Sequence, residues 1–146
     1  MTEAEVQINR FLVEIFNNIL HLEEASLAHG PCKNLSVSEM HVLEAVQNGG
    51  DNPSMSSLAA SLSITASTLT VAVKTLEQKG YLVRRRCEDD KRRVAVQLTD
   101  KAGSALAHHA AFHQDLIRQV SEQLTPSQMN DLLLALGRLH DFFTGL

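Results

Sequence analysis

Tryptophan is absent from this chain of 146 residues, and aromatic residues make up only 4% of it. The core must therefore consist mainly of leucine, valine, isoleucine and alanine. Only three prolines and seven glycines are present, which favours long helices. No apolar run approaches the roughly 18 residues of a membrane span, and acidic Glu3 and Glu5 argue against a signal peptide. We expect no membrane partner.

Cysteine is also scarce, with Cys32 and Cys87 far apart and in no pairing pattern. This spacing favours a reducing, cytoplasmic location over a disulfide-stabilised secreted protein. The composition, 44% hydrophobic and 21% charged, is typical of a soluble globular protein, and the length suits one domain spanning 1–146.

Positive charge is concentrated in one part of the chain, although the formal net charge is −4. Eight of the 13 lysines and arginines lie between Ser63 and Thr99: Lys74, Lys79, Arg84, Arg85, Arg86, Lys91, Arg92 and Arg93. Phosphate attraction depends on the field within about one Debye length, roughly 8–10 Å at physiological salt. An acidic protein with one basic face can therefore bind DNA.

The basic segment contains the order of elements of a winged helix-turn-helix. A short helix that starts at 52–54 and includes 57–62 is followed by a turn at 63–64 and a second helix over 65–79. These lead into a hairpin of strands 81–87 and 93–98. The predicted fold is therefore mainly α, with the DNA-binding unit at about 35–99. Val94 and Val96 alternate with polar or small residues, as in a half-buried strand.

Amphipathic helices are predicted on both sides of this unit, over about 1–30 and 100–146. A Ser36–Glu39 capping box opens the helix before the helix-turn-helix, and Thr125-Pro126 opens the last helix. The flanking helices carry wider apolar faces than one chain can cover. We expect them to form a homodimer interface.

The candidate DNA contacts are hydroxyls at the start of the second helix and cations that follow it. Small hydroxyls can enter a major groove, and guanidinium groups at a narrow tip suit the minor groove and its phosphates. Asp89 or Asp90 is expected to brace a tip arginine through a bidentate pair. The alternative for the hydroxyls is that they only cap and solubilise a surface helix. The alternative for the cations is that they only form a solvated charged turn. The candidates are Thr65, Ser67, Thr68, Thr70, Lys74, Arg84, Arg86, Lys91, Arg92 and Arg93.

The chain resembles the MarR family of transcriptional regulators. The resemblance rests on 35–43 (LSVSEMHVL), the helix-turn-helix, 76–82 (LEQKGYL), the Asp-rich arginine hairpin and 97–103 (QLTDKAG). Its tip reads Asp-Asp-Lys-Arg-Arg, whereas the family usually shows Asp-x-x-Asp-Arg-Arg. The resemblance implies a homodimer on a pseudo-palindromic operator of double-stranded DNA, switched by a small ligand or metal.

Seven histidines are present, and His109 and His113 lie four residues apart on one predicted helix. Two imidazoles at this spacing can share a zinc ion, and Glu24 and His41 are placed by chain topology to complete the site. The zinc-responsive, AdcR-like branch of the MarR family, which this part of the chain resembles, implies the same four ligands. Glu23 remains an alternative to Glu24.

The same branch has a weaker second metal site made of cysteine and carboxylate ligands. In this chain Cys32, Glu39 and His108 correspond only loosely to those ligands. His108 stands where a carboxylate is expected, which argues against this site. His21 and His29 are bystanders or outer ligands, and His140 is expected at the dimer interface.

Zn(II) is the favoured cofactor, and the protein is expected to be a repressor with zinc as co-repressor. The first alternative is a MarR-type repressor released by a phenolic or lipid-like ligand. A zinc hydrolase is a remote alternative, because Ala110 stands where a zincin motif needs glutamate. We therefore predict that the chain is not an enzyme. A helical interaction module without DNA would leave the arginine hairpin unexplained.

Overall fold

The computed structural model describes residues 1–146 and consists of six helices and one two-stranded antiparallel sheet, which confirms the mainly α prediction. In chain order the elements are α1 (Glu3–His29), α2 (Val37–Asn48), α3 (Met55–Leu62), α4 (Ala66–Gln78), β1 (Leu82–Arg86), β2 (Val94–Leu98), α5 (Asp100–Glu122) and α6 (Pro126–Thr144).

Hydroxyl side chains begin most of the helices. The Ser36 hydroxyl accepts a hydrogen bond from the Glu39 amide at 3.2 Å, and the Ser36 amide donates to the Glu39 carboxylate at 3.1 Å. This is the predicted capping box, which satisfies two amides that the helix itself cannot pair. Thr125 forms the same arrangement with Gln128 at the start of α6.

The turn of the helix-turn-helix contains a residue in the left-handed conformation, and a hydroxyl side chain caps the start of each of the two helices. Ser54 caps α3, so this helix begins at Met55, directly after its predicted start segment 52–54. Ser63 ends it with φ of 53°, a conformation that lets its amide and that of Ile64 bond back to the last turn. Thr65 then caps α4, and buried Leu69, Val73 and Leu76 hold α4 against the core, as predicted.

The hairpin pairs Leu82 with Leu98 and Arg86 with Val94. A single bridge from Ser54 to Ala95, and a 3.1 Å bond from the Val96 amide to the Pro53 carbonyl, attach β2 to the start of α3. Ala95 is buried although alternation predicted an outward position, because the Pro53–Ser54 segment lies along this edge. The hairpin is therefore fixed to the helix-turn-helix through the first half of β2.

The chain divides into two compact units, Met1–Ala110 and Ala111–Leu146, and the division falls within α5. The first unit contains the helix-turn-helix and its hairpin. The prediction of a single domain stays a prediction. No single helix is both long and apolar enough to cross a membrane, and only the bent pair α3–α4 passes that test, by length and composition.

Tyr81 links the start of the hairpin to the loop before α2. Its ring is fully buried, its hydroxyl donates to the Asn34 side-chain oxygen, and the Lys101 ammonium lies 4.5 Å from the ring centroid. Burial, followed by the nearby Cys32 and Glu39 side chains, raises the pKa of Tyr81 from 10.0 to about 12. The folded state therefore favours the neutral phenol.

This shift predicts a loss of stability at alkaline pH. Because the folded pKa exceeds the unfolded one, the contribution of Tyr81 is complete below pH 10 and is lost as the pH rises towards 12. Tyr81 is the only tyrosine and tryptophan is absent, so tyrosinate absorbance reports it directly. We expect its midpoint near 12 in the folded protein and near 10 in denaturant. A folded midpoint near 10 would contradict the prediction.

Candidate nucleic-acid interface and metal centre

The exposed face of α4 is made of Ser67, Val71, Lys74 and Gln78, which follow one another at helical spacing on the side opposite the buried leucines. The sequence interpretation included Ser67 and Lys74 and missed the other two. Val71 is 67% exposed, and its exposure could have been found from the same helical periodicity.

The remaining predicted hydroxyls are exposed but take part in the structure of the helix. Thr65 accepts from the Thr68 amide at 3.2 Å and donates to the Thr68 hydroxyl at 2.9 Å. The Thr70 hydroxyl donates to the Ala66 carbonyl at 2.8 Å. The hydroxyl hydrogens of Thr65 and Thr70 are therefore already used, whereas the Thr68 hydroxyl accepts from Thr65 and keeps its own hydrogen for a ligand. The capping alternative is thus correct for Thr65 and does not exclude DNA contact.

The arginines of the hairpin differ in their surroundings. The Arg84 Nε lies 2.6 Å from a Glu77 carboxylate oxygen, so this side chain ties β1 to α4. Its assignment as a DNA contact is therefore less favourable than the sequence suggested. The other predicted cations of the hairpin are exposed and form no ion pair: Arg86, Lys91, Arg92 and Arg93.

The aspartates at the tip shape the turn instead of bracing an arginine side chain. The Asp90 carboxylate accepts from the Arg92 amide at 3.0 Å, and the Asp90 carbonyl accepts from the Arg93 amide at 3.0 Å. Asp89 accepts from the Asp90 amide at 3.1 Å. The expected bidentate pair is thus replaced by local bonds to the backbone, which short aspartate side chains make readily in turns. The guanidinium groups stay available.

A cluster of titratable side chains joins α1, α2 and α5. A Glu23 oxygen lies 3.5 Å from His41 Nε2 and 3.8 Å from His109 Nε2, and the three ligand atoms all lie within 4.8 Å of one another. Glu23 and His109 are buried, whereas the His41 side chain is 46% exposed. Buried carboxylates need a partner, and these imidazoles supply one.

Glu23, and not Glu24, occupies the cluster. Leu20, Glu23 and Leu27 follow one another on the inward face of α1, while Glu24 is turned by about 100° into solvent. The expected ligand Glu24 is therefore replaced by the alternative, Glu23. His113 follows His109 by one turn of α5, and its role stays a prediction.

Glu44 is a further member that the sequence interpretation missed. One of its carboxylate oxygens lies 3.3 Å from His109 Nε2, and its side chain is 36% exposed. Glu44 follows His41 by three residues on α2, and residues three or four apart share a helix face, so this spacing could have identified it.

The candidate second metal site is not assembled. Glu39 pairs with Lys79 at 2.8 Å, and His108 Nε2 donates to the Ser26 carbonyl at 3.1 Å, where it also covers Gly30. The Cys32 thiol lies 3.9 Å from the Lys101 carbonyl. Each side chain thus has a separate structural role, and no group of metal-binding donors contains any of them.

Comparison with known proteins identifies the family. The MarR family model matches residues 33–93, which contain the helix-turn-helix, β1 and the hairpin tip but not β2. The structure of Streptococcus pneumoniae FabT in complex with DNA is 30% identical, covers 97% of this chain and 98% of its own, and superposes with a TM-score of 0.91. This chain belongs to the MarR family of DNA-binding transcriptional regulators.

Curated relatives agree with this assignment. The chain is 28% identical over 128 residues to the transcriptional regulator MhqR of Bacillus subtilis, covering 84% of this chain and 85% of MhqR. It is 30% identical over 107 residues to the regulator PecS of Dickeya dadantii, covering 72% and 64%. The relatives are regulators, which confirms the prediction that the chain is not an enzyme and removes the zinc hydrolase alternative.

Proposed function

We propose that the protein is a homodimeric repressor that binds a pseudo-palindromic operator more tightly when zinc is bound. The observation that supports zinc is the convergence of Glu23, His41 and His109 from three different helices. His113 is the fourth ligand that the sequence predicts, and Glu44 is a second carboxylate within reach of His109.

The donors fit zinc by chemistry and by spacing. Imidazole nitrogen and carboxylate oxygen are both zinc ligands, and two donors on one tetrahedral ion at about 2.0–2.2 Å lie roughly 3.3–3.5 Å apart. The separations of 3.5 and 3.8 Å from Glu23 to His41 and His109, with all three donors within 4.8 Å of one another, need modest side-chain shifts to meet this value. A bound divalent cation would offset the negative charge of the carboxylates.

The position of His41 suggests how the metal and DNA sites are coupled. His41 and Glu44 of α2 line a cavity of about 490 Å³ together with Ser57, Leu58 and Ser61 of α3. Ligands on α1, α2 and α5 that share one ion would restrict α2, against which the helix-turn-helix packs. Restriction to the DNA-binding arrangement makes metal and DNA binding mutually favourable, by about 1–3 kcal/mol in typical coupled systems.

Exposed apolar faces support a homodimer. On α1 they include Phe11, Ile15 and Phe16, which are 48%, 55% and 69% exposed. On α6, Leu133, Phe142 and Phe143 are 61%, 59% and 62% exposed. Faces of this kind on each unit are typical of subunit interfaces. Two paired subunits would present two α4 helices about one DNA turn, roughly 34 Å, apart.

An organic ligand remains the alternative signal. A cavity of about 240 Å³ between α2, α3 and α4 has an apolar part formed by Val42, Leu62, Ile64 and Ala72. It is smaller than the roughly 300–1,000 Å³ of typical ligand sites, and the cavity of about 490 Å³ is lined partly by the polar side chains of His41, Glu44, Ser57 and Ser61, so we favour zinc.

The decisive experiment titrates purified protein into DNA selected by that protein from a random duplex pool, first with a chelator and then with added Zn(II). We expect zinc to increase affinity about tenfold, within the usual range of coupling energies. Sedimentation equilibrium on the same samples should give a dimer. Affinity that is equal in chelator and in zinc would overturn the zinc response, and monomeric protein would overturn the dimer.

A further inference from the structure

Val71 is an unusual residue for the outward face of a soluble helix. Between residues 35 and 99 it is the most exposed large apolar side chain, at 67%, and Val83 follows at 36%. A β-branched residue has lower helix propensity than alanine, and an exposed one gains nothing from burial in return. The position would be explained if Val71 becomes buried when α4 meets its partner.

The residues around Val71 are those of a DNA-facing surface and not of an apolar patch. Ser67 lies one turn before it and Lys74 about one turn after it, while Leu69 and Val73 point into the core. A protein partner docked through apolar contacts would need several exposed apolar side chains here. A single valine flanked by a hydroxyl and an ammonium fits a groove edged by phosphates.

The major groove of B-DNA offers one apolar group to a protein side chain, the 5-methyl group of thymine. Thr70, the residue before Val71, already donates its hydroxyl hydrogen to the Ala66 carbonyl, which limits its ability to recognise a base by hydrogen bonding. The apolar surface of Val71 is therefore well suited to distinguish thymine from the other bases.

We propose that Val71 reads a thymine through its 5-methyl group, at one position in each half of the operator. This inference rests on the operator binding proposed above and is independent of zinc. It assigns a base preference to one residue of α4, whereas Lys74 would contact the backbone without regard to sequence.

The test is a double-mutant cycle between Val71 and the methyl group. A duplex that the wild-type protein selects from a random pool is resynthesised with each symmetric pair of thymines replaced by uracil, which removes only the methyl groups. Anisotropy at fixed salt then gives affinities for the wild type and for Val71→Ala. At one thymine pair, we expect the wild type to lose about fourfold per methyl group.

On the all-thymine duplex, Val71→Ala should bind less tightly than the wild type, and at that thymine pair it should show no further loss with uracil. Val83→Ala, the same change at the other exposed valine, is the matched control and should keep the wild-type sensitivity. Alanine favours helix at position 71, and circular dichroism confirms folding.

Two results would overturn the inference: no uracil replacement weakens the wild type, or Val71→Ala remains equally sensitive to it. A wild-type protein that selects no duplex would instead refute operator binding itself, and the inference with it.

Discussion

His109→Ala is expected to abolish tight zinc binding. His109 is 1% exposed, and its Nε2 lies within 3.8 Å of both Glu23 and Glu44, so it is the donor nearest to the centre of the cluster. Loss of an outer partner of a metal ligand typically costs 10–100-fold in affinity, so loss of the ligand itself should cost at least about 100-fold. Competition with a chromogenic chelator measures this, with His21→Ala on exposed α1 surface as control.

Glu23→Gln and Glu24→Gln form a matched pair for the same site. Both remove one negative charge from neighbouring positions of α1, but only Glu23 faces the histidines. We expect Glu23→Gln to weaken zinc binding strongly and Glu24→Gln to bind like the wild type. This pair also controls for misfolding. Glutamine has nearly the same size and shape as glutamate, whereas His109→Ala removes a buried ring. Equal zinc affinities for both variants would reject the cluster as the site.

The second large effect is expected at the hairpin. Arg92→Ala and Arg93→Ala each remove one unpaired guanidinium per subunit, and each should weaken operator binding at least tenfold, since hydrogen bonds to charged groups contribute about 1.5–3 kcal/mol. Log affinity falls with log salt by about 0.9 for each phosphate neutralised. The slope should therefore decrease by about two for a dimer. Titrations at several salt concentrations give both quantities.

Arg118→Ala is the control for charge alone. Arg118 is bound to Asp115 and Glu122 on α5, so its removal should leave the salt slope unchanged. Arg84→Ala should mainly lower thermal stability, because its guanidinium pairs with Glu77. If the slope is the same in Arg92→Ala, Arg93→Ala and the wild type, these arginines do not contact phosphates.

Much of the fold could be predicted because its signals are local. The Ser36–Glu39 box, the Thr65 cap and the leucine spacing of α4 depend on residues within a few positions of each other. The hairpin was recognisable from the arginines at 84–86 and 92–93, which stand on both sides of Asp89 and Asp90. Such signals do not depend on where distant segments lie.

The candidate site was predicted less completely. The choice between Glu23 and Glu24 depends on the rotation of α1 about its axis, and one residue changes the direction of a side chain by about 100°. The expected aspartate brace was wrong in its partner, because a carboxylate in a tight turn meets backbone amides before it can reach a guanidinium. Cys32, Glu39 and His108 were grouped by resemblance, but packing gives them separate partners.

By itself, the sequence determined the order of the elements, the family and the cationic character of the hairpin. Helix caps, hydrophobic periodicity and charge clusters involve residues only a few positions apart, so they can be recognised from short stretches of sequence. Only the tertiary structure decided which carboxylates face His109 and which arginine is tied to α4. Those outcomes depend on how separate helices rotate and pack, a property that no short stretch of residues contains.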